Sequence, residues 1–543
     1  MLRSKKAPYV VMILIVILGI VGFSMNSQVM ADVHTLSKSQ LNKFFHVVQL
    51  VKRYYVEDVE WDKAIGGAIS GMLSKLDPHS VYIEPKKVER NKESFSGHYE
   101  GIGIEFDVID GYITVISPIA GSPSDRLGLL PGDKIIKING KSAYGIKRSE
   151  VPKKLKGPKG TTVEVTILRE GEEEPFDLTI ERDVIPIFTV TTHFMADDST
   201  GYIMVNRFAS TTTEEAENAI KDLLKQGMKR LILDLRGNPG GYLHEAVKLA
   251  GKFIAGRKLI VETRGRDERV HEQFYSDQWR TGPVYSFPLV ILIDRGSASA
   301  SEIVSGAIQD YDRGLIVGYN SFGKGLVQKE FPLSDGSAVR VTTAKYYTPS
   351  GRLIQRPYKG KDVEEYYEEL GDTTLTSEDS LANRPKYYTQ AGRVVYGGGG
   401  IMPDIEVPFK SYSKSPKLRN KMMVKRVYFD FANHFAKEHP EYKTDVKTFY
   451  QKFNVSDELF EEFKRYCREK DVKFEDEEFD KDREYISVGL KAQLAEQYWG
   501  RDAYYYIVRH HDNQFITALN SFDEANRIAI LGHGKNDQNG SNN

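Results

Sequence analysis

Asp294-Arg295-Gly296-Ser297-Ala298-Ser299-Ala300-Ser301-Glu302 follows the apolar run Leu289 to Ile293 and opens an amphipathic stretch that reaches Gln309. Small residues at that junction mark a chain turning from a strand into a helix. A helix start leaves amide donors unpaired and carries the positive end of the helix dipole, which suits a developing oxyanion. Three hydroxyls, on Ser297, Ser299 and Ser301, compete for the role of nucleophile. Taken alone, such a segment is an ordinary helix cap.

A second segment changes that reading. After the apolar strand Leu315 to Val317 comes Ser321-Phe322-Gly323-Lys324-Gly325-Leu326-Val327-Gln328, a lysine between glycines and beside apolar residues. Glycines let the backbone approach closely and turn the lysine inward. Burial disfavours the ammonium form, and bringing a lysine from about 10.4 to about 7 to 8 takes roughly 4 kcal/mol. A neutral amine can accept a serine proton, the Ser-Lys variant of nucleophilic catalysis.

Around these segments strands and helices alternate: Gly201 to Val205, Thr213 to Lys225, Leu231 to Leu235, Leu243 to Phe253, Leu289 to Ile293, and Leu315 to Val317. That alternation predicts an α/β layered domain. Between the first helices lies Asp234-Leu235-Arg236-Gly237-Asn238-Pro239-Gly240-Gly241.

Together the Ser-Ala-Ser-Ala-Ser-Glu, Phe-Gly-Lys-Gly and Asp-Leu-Arg-Gly-Asn-Pro-Gly-Gly segments resemble those of the C-terminal processing (tail-specific) serine peptidases, family S41. That family places its nucleophile 25 residues before its lysine, which from Lys324 lands on Ser299. The resemblance implies Ser299 as nucleophile, Lys324 as general base and Gln328 as the polar residue that holds the lysine amine. It also implies an oxyanion hole from the backbone amides of Gly241 and Ala300, two donors from different loops. The fold it implies is multidomain α/β: a ClpP/crotonase-like layered core with an inserted β-rich domain, an N-terminal helical segment and a C-terminal helical extension.

The inserted domain is legible from residues 96–186, where short β-type runs alternate with Gly- and Pro-rich turns. Gly101-Ile102-Gly103-Ile104 leads into a strand, and Leu129-Leu130-Pro131-Gly132-Asp133 precedes Ile135 to Gly140, an arrangement that resembles a PDZ domain. Glycines there let amides converge on a peptide carboxylate, while the following strand edge accepts an extended peptide. Gly101, Ile102, Gly103 and Ile104 are therefore the expected peptide-binding residues, with Ile102 and Ile104 lining the side-chain pocket.

Ahead of it, residues 34–95 read as a small helical domain that includes Gly71-Met72-Leu73 and Leu76-Asp77-Pro78-His79-Ser80, segments the same family carries. Residues 1–33 hold Arg3, Lys5 and Lys6, then an uncharged apolar run from Tyr9 to Phe23, the order of an export signal or membrane anchor. The expected place is the cell envelope, on the periplasmic side of the inner membrane, anchored or released by cleavage. Residues 187–410 form the expected core, with a polar insertion near 357–396; residues 411–531 are a charged helical extension, and 532–543 read as disordered.

Lys+Arg 75 against Asp+Glu 76, with 40% hydrophobic residues, gives a balanced globular surface and no case for nucleic acid. One cysteine, Cys467, allows no internal disulfide, and the scattered histidines lack metal-ligand spacing, so neither metal nor cofactor is expected. Expected partners are protein substrates with apolar C-termini, an adaptor or regulatory protein, other copies of the chain, and the membrane through the N-terminal segment. Two other readings compete: a non-catalytic PDZ scaffold on an inactive core, and a crotonase-like acyl-CoA enzyme. Nucleophile, base and oxyanion glycine are all present, against the first; the PDZ-like domain and export signal weigh against the second.

Overall fold

A computed structural model describes residues 38–119, 121–169, 171–369, 382–411 and 413–539. The apolar run from Tyr9 to Phe23 lies outside them, and among the described residues no helix is long and apolar enough to cross a membrane. The chain divides into two compact units, Met1–Met72 and Leu73–Asn543. In the first, the helix Lys38–Tyr54 follows the apolar spacing of Leu41, Phe44, Val48 and Val51, yet buries none of its residues.

The second unit is built on a six-stranded sheet in the order Val190–Met195, Thr200–Val205, Arg230–Asp234, Leu289–Ile293, Leu315–Gly318, Ile405–Glu406. The first pair is antiparallel and the rest are parallel. Parallel strands need cover on both faces, and period-two alternation sorts the residues accordingly. Ile203, Val205, Leu231, Leu233, Ile291 and Ile293 pack with the helices Thr212–Lys225, Leu243–Gly251 and Ala300–Asp310. Tyr202, Ile232, Val290, Leu292, Leu315 and Val317 face the other way, onto Phe515, Ala518, Phe522, Ala525 and Ile528. The end of the C-terminal extension is thus the second cover of the core sheet, brought there by the helices Asn513–Leu519 and Phe522–Asn539. The latter helix runs on into the stretch from residue 532 that composition marks as disordered, since extending a formed helix costs far less than starting one.

The rest of the extension, from Pro416–Val424 to Arg501–Arg509, has its own core around Phe431, Phe460, Phe463, Phe479 and Leu490. Cys467 is buried there, and burial pushes its thiol up to about 12, so it packs as an inert side chain.

The inserted domain is an antiparallel sheet in the order Ile104–Ile109, Tyr112–Pro118, Lys134–Ile138, Thr162–Leu168, Phe176–Glu181. Its entry, His98–Gly101, pairs with its exit, Asp183–Pro186, so that chain leaves and rejoins the core at one place. Ile104–Ile109 is an edge strand of that sheet. Its Glu105 and Asp107 accept Arg501 and Arg426 of the C-terminal extension, at 2.6 and 2.8 Å.

Candidate active site

The turn after Leu289–Ile293 puts Ser299 immediately before the helix Ala300–Asp310, at φ +54° and ψ −109°. A non-glycine residue there costs on the order of 1–3 kcal/mol and persists only where its surroundings force it. Three contacts do so. The Ser299 amide donates to Glu302 Oε2 at 2.7 Å, Tyr346 Oη donates to the Ser299 carbonyl at 3.1 Å, and the Ala298 amide donates to the Asn238 carbonyl at 2.9 Å.

The three serines have different occupations. Ser297 Oγ donates to the Leu235 carbonyl and Ser301 Oγ to the Asn238 carbonyl, which ties the turn to the 234–241 loop. Ser299 is half-buried, and its hydroxyl donates to no acceptor among the described residues.

The 234–241 loop lies against this turn because it has no side chain where the two meet. A β-carbon at Gly240, which sits at φ +94°, would stand 2.7 Å from the Ala298 carbonyl oxygen and 2.9 Å from the Ala300 nitrogen. At Gly241 it would stand 2.0 Å from the Phe208 carbonyl oxygen. Neither the Gly241 nor the Ala300 amide has an acceptor among the described residues. Asn238 stiffens the loop from inside, donating to the Val205 carbonyl and accepting the Gly240 amide.

Glu302, fully buried, joins this turn to the lysine loop. Its Oε1 accepts Ser321 Oγ and the Gly323 amide, and its Oε2 accepts the Ser299 and Lys324 amides. Burial pushes its carboxyl up, with the four donors pulling the other way. Lys324 is pushed down to about 8, first by burial and then by Arg340, against the opposing pull of Glu302 and Asp77. No described salt bridge involves its amine.

Gln328 follows a β-bulge, where the pairing of Leu326–Pro332 with Ala338–Tyr347 shifts between Val327 and Gln328; such bulges re-aim side chains. Its Nε2 donates to the His79 carbonyl at 2.5 Å. Asp77 fixes that segment by accepting the His79 and Ser80 amides and Ser80 Oγ. The His79 imidazole, packed against Phe322 and Tyr366, is lowered to about 4 by burial and then by Lys324, so it is neutral.

Residues 199–364 match "Peptidase family S41" and residues 101–180 match "PDZ domain". The chain is 40% identical over 320 residues, 58% of its own length and 73% of the other, to a carboxy-terminal-processing protease of Bartonella bacilliformis (strain ATCC 35685 / KC583 / Herrer 020/F12,63). It belongs to the carboxy-terminal processing proteases.

The carboxy-terminal processing protease CtpA of Bacillus subtilis (strain 168) is 37% identical over 319 residues, covering 59% of this chain and 67% of that one. Among solved structures, a photosystem II D1 C-terminal processing protease is 29% identical and covers 61% of this chain and 91% of that one, with a TM-score of 0.32. Residues 22–87 of the protease match "Activating protease CtpB N-terminal domain", and residues 416–500 match a family of unknown function.

Within this protease the structure brings Ser299, Lys324, Gly241 and Ala300 together around Glu302 and the glycine loop. It joins neither Ser299 Oγ nor Gln328 to the lysine amine by a described hydrogen bond; the Gln328 amide goes to His79 instead. In the PDZ domain the side chains of Ile102 and Ile104 pack in the domain core with Ile113, Val115 and Ile135, and Ile104 also lines a cavity with Glu105, Ile116 and Arg501. Their loop presents backbone as well. The Gly103 carbonyl is held by Ser122 Oγ and the Ile119 amide, while the Ile102 and Gly103 amides have no acceptor among the described residues.

Glu302, Tyr346, His79 and Asp77 were not singled out as site residues from sequence. Glu302 carries a readable signal, since Ser299-x-x-Glu302 is the spacing of a capping box. The polar insertion contributes too: its helix Val363–Glu368 places Tyr366 against His79 and Phe322, and Tyr366 Oη accepts Gln355 Nε2 at 3.2 Å.

Proposed function

We propose that Ser299 and Lys324 are the catalytic dyad of this serine protease, acting on the C-terminal tails of exported proteins. One observation carries the assignment: of three adjacent serines, Ser299 alone keeps a hydroxyl that donates to no described acceptor, and the amide of a half-buried lysine in no described salt bridge shares its carboxylate anchor.

Ser299 Oγ attacks the scissile carbonyl carbon as its proton passes to neutral Lys324 Nζ. The carbonyl oxygen takes the negative charge and is met by the Gly241 and Ala300 amides. The ammonium then gives the proton to the leaving amine, the C–N bond breaks, and an acyl-serine ester is left. Water repeats the sequence, yielding the new carboxylate and restoring the serine. Gln328 acts at one remove, fixing the His79 segment beside the lysine.

The free amides of Ile102 and Gly103 support capture of the substrate's terminal carboxylate on the PDZ edge strand Ile104–Ile109. The basic Arg3, Lys5 and Lys6 ahead of the apolar run support export, with that end left in the cytoplasm.

A fluorophosphonate probe tests the dyad: labelling at Ser299 in the wild type that disappears in Lys324→Ala is the expected result. Undiminished labelling in Lys324→Ala excludes the lysine as base. For the tail, an amidated peptide is expected to be cut more slowly than its free acid, and equal rates exclude carboxylate recognition.

A further inference from the structure

The C-terminal extension does more than cover a sheet face. Arg236 opens the glycine loop and is buried, so its guanidinium needs every donor met inside the protein. Asp234 takes Nε and Nη2. Nη1 reaches across to the extension, to Asp512 Oδ2 at 2.7 Å and Gln514 Oε1 at 2.8 Å.

The ring then closes on itself. Arg509 Nη1 donates to Asp512 Oδ2 at 3.0 Å and its Nε to Tyr202 Oη at 2.8 Å, while Tyr202 Oη donates to Asp234 Oδ2 at 2.6 Å. Two carboxylates and two guanidiniums balance, shared between the core and residues some 276 positions away in sequence. Gln514 is itself anchored, its Nε2 donating to the Val407 carbonyl at 2.7 Å. Four residues beyond Arg236, Gly240 lies against Ser299 and Ala300 with no room for a methyl group.

We propose that Asp512 and Gln514 are positioning residues for catalysis, through which the C-terminal extension sets the oxyanion loop against the nucleophile. This rests on the Ser299–Lys324 reading. Loss of one carboxylate leaves the buried charge unbalanced, and Arg236 cannot shift without carrying the loop that ends in Gly241.

Asp512→Asn separates this role from a merely structural one. Asp512 Oδ1 caps the helix Asn513–Leu519 by accepting the Gln514 and Phe515 amides, and asparagine caps as well as aspartate. The variant therefore keeps the helix and loses the charge. In the full-length enzyme, kcat and the fluorophosphonate labelling rate are expected to fall together, on the order of 10- to 100-fold, as misplacing a catalytic group does. KM for a free-acid tail peptide stays within about two-fold if the step lost is transition-state stabilisation, and Asp512→Glu recovers part of the rate.

Gln514→Leu removes one neutral acceptor and gives a smaller drop of the same kind, which covers the case in which Asp512→Asn does not fold. Phe463→Leu, deep in the extension's own core, lowers the melting temperature with kcat unchanged. Wild-type kcat in folded Asp512→Asn or Gln514→Leu overturns the proposal, as does a loss in Phe463→Leu equal to theirs. A wild type that neither labels nor cleaves overturns the dyad, and this proposal with it; a wild type that labels while both variants match it overturns this proposal alone.

Discussion

Ser299 and Lys324 donate their backbone amides to one oxygen, Glu302 Oε2, at 2.7 and 2.9 Å. The two loops that carry the dyad are therefore registered through a single buried atom. Their side chains need no hydrogen bond in the resting enzyme for the backbones to be held in place.

Glu302→Gln tests that anchor. Its amide turns donors toward groups that are themselves donors, and each buried amide left without an acceptor costs about 1–3 kcal/mol. Urea unfolding is expected to show a loss of that order or more, and kcat to fall at least ten-fold among molecules that remain folded. A variant with wild-type stability and rate removes Glu302 from the account.

The lysine at about 8 gives two signatures with opposite readouts. Catalysis needs the neutral amine, so kcat/KM rises with pH and levels off above about 8. The neutral His79, lowered to about 4, adds no step near 6.5. For stability, the unfolded lysine still binds its proton up to about 10.4. Between the two values the unfolded state holds more protons, so unfolding free energy rises with pH across that window, by up to roughly 3 kcal/mol. Urea melts at pH 8 and 10.5 should show this rise in the wild type and lose it in Lys324→Met.

At Gly240, alanine meets both a positive φ and the Ala298 carbonyl at 2.7 Å. Gly240→Ala is expected to reduce the serine labelling rate by at least ten-fold with a stability loss of about 1–3 kcal/mol. Labelling at the wild-type rate means the glycine loop does not shape the reacting site.

Phe515 is fully buried against the sheet face that holds Tyr202 and Val290. Phe515→Ala leaves a cavity there and is expected to cost about 3–5 kcal/mol. Unfolding monitored by a core probe and by one in the extension should shift together. A shift confined to the extension means the sheet stands without it.

The Ser-Ala run and the Gly-Lys-Gly turn each read alone as a cap and a turn, and it is their resemblance to the peptidase family's segments and spacing that points to Ser299 and Lys324; the β–α alternation from Gly201 to Val317 follows from periodicity. The placing of Phe515, Phe522 and Ile528 was not legible: an amphipathic helix announces an apolar stripe but not the surface that receives it. Arg236 and Asp512 each look like an ordinary surface charge until the fold closes over both.

The far face of the core sheet stays bare until Phe515, Phe522 and Ile528 arrive. Every residue of the dyad has left the ribosome long before they do. During synthesis a nascent chain thus carries the proposed dyad on a sheet whose second face is still open to water, until residues 513–528 emerge.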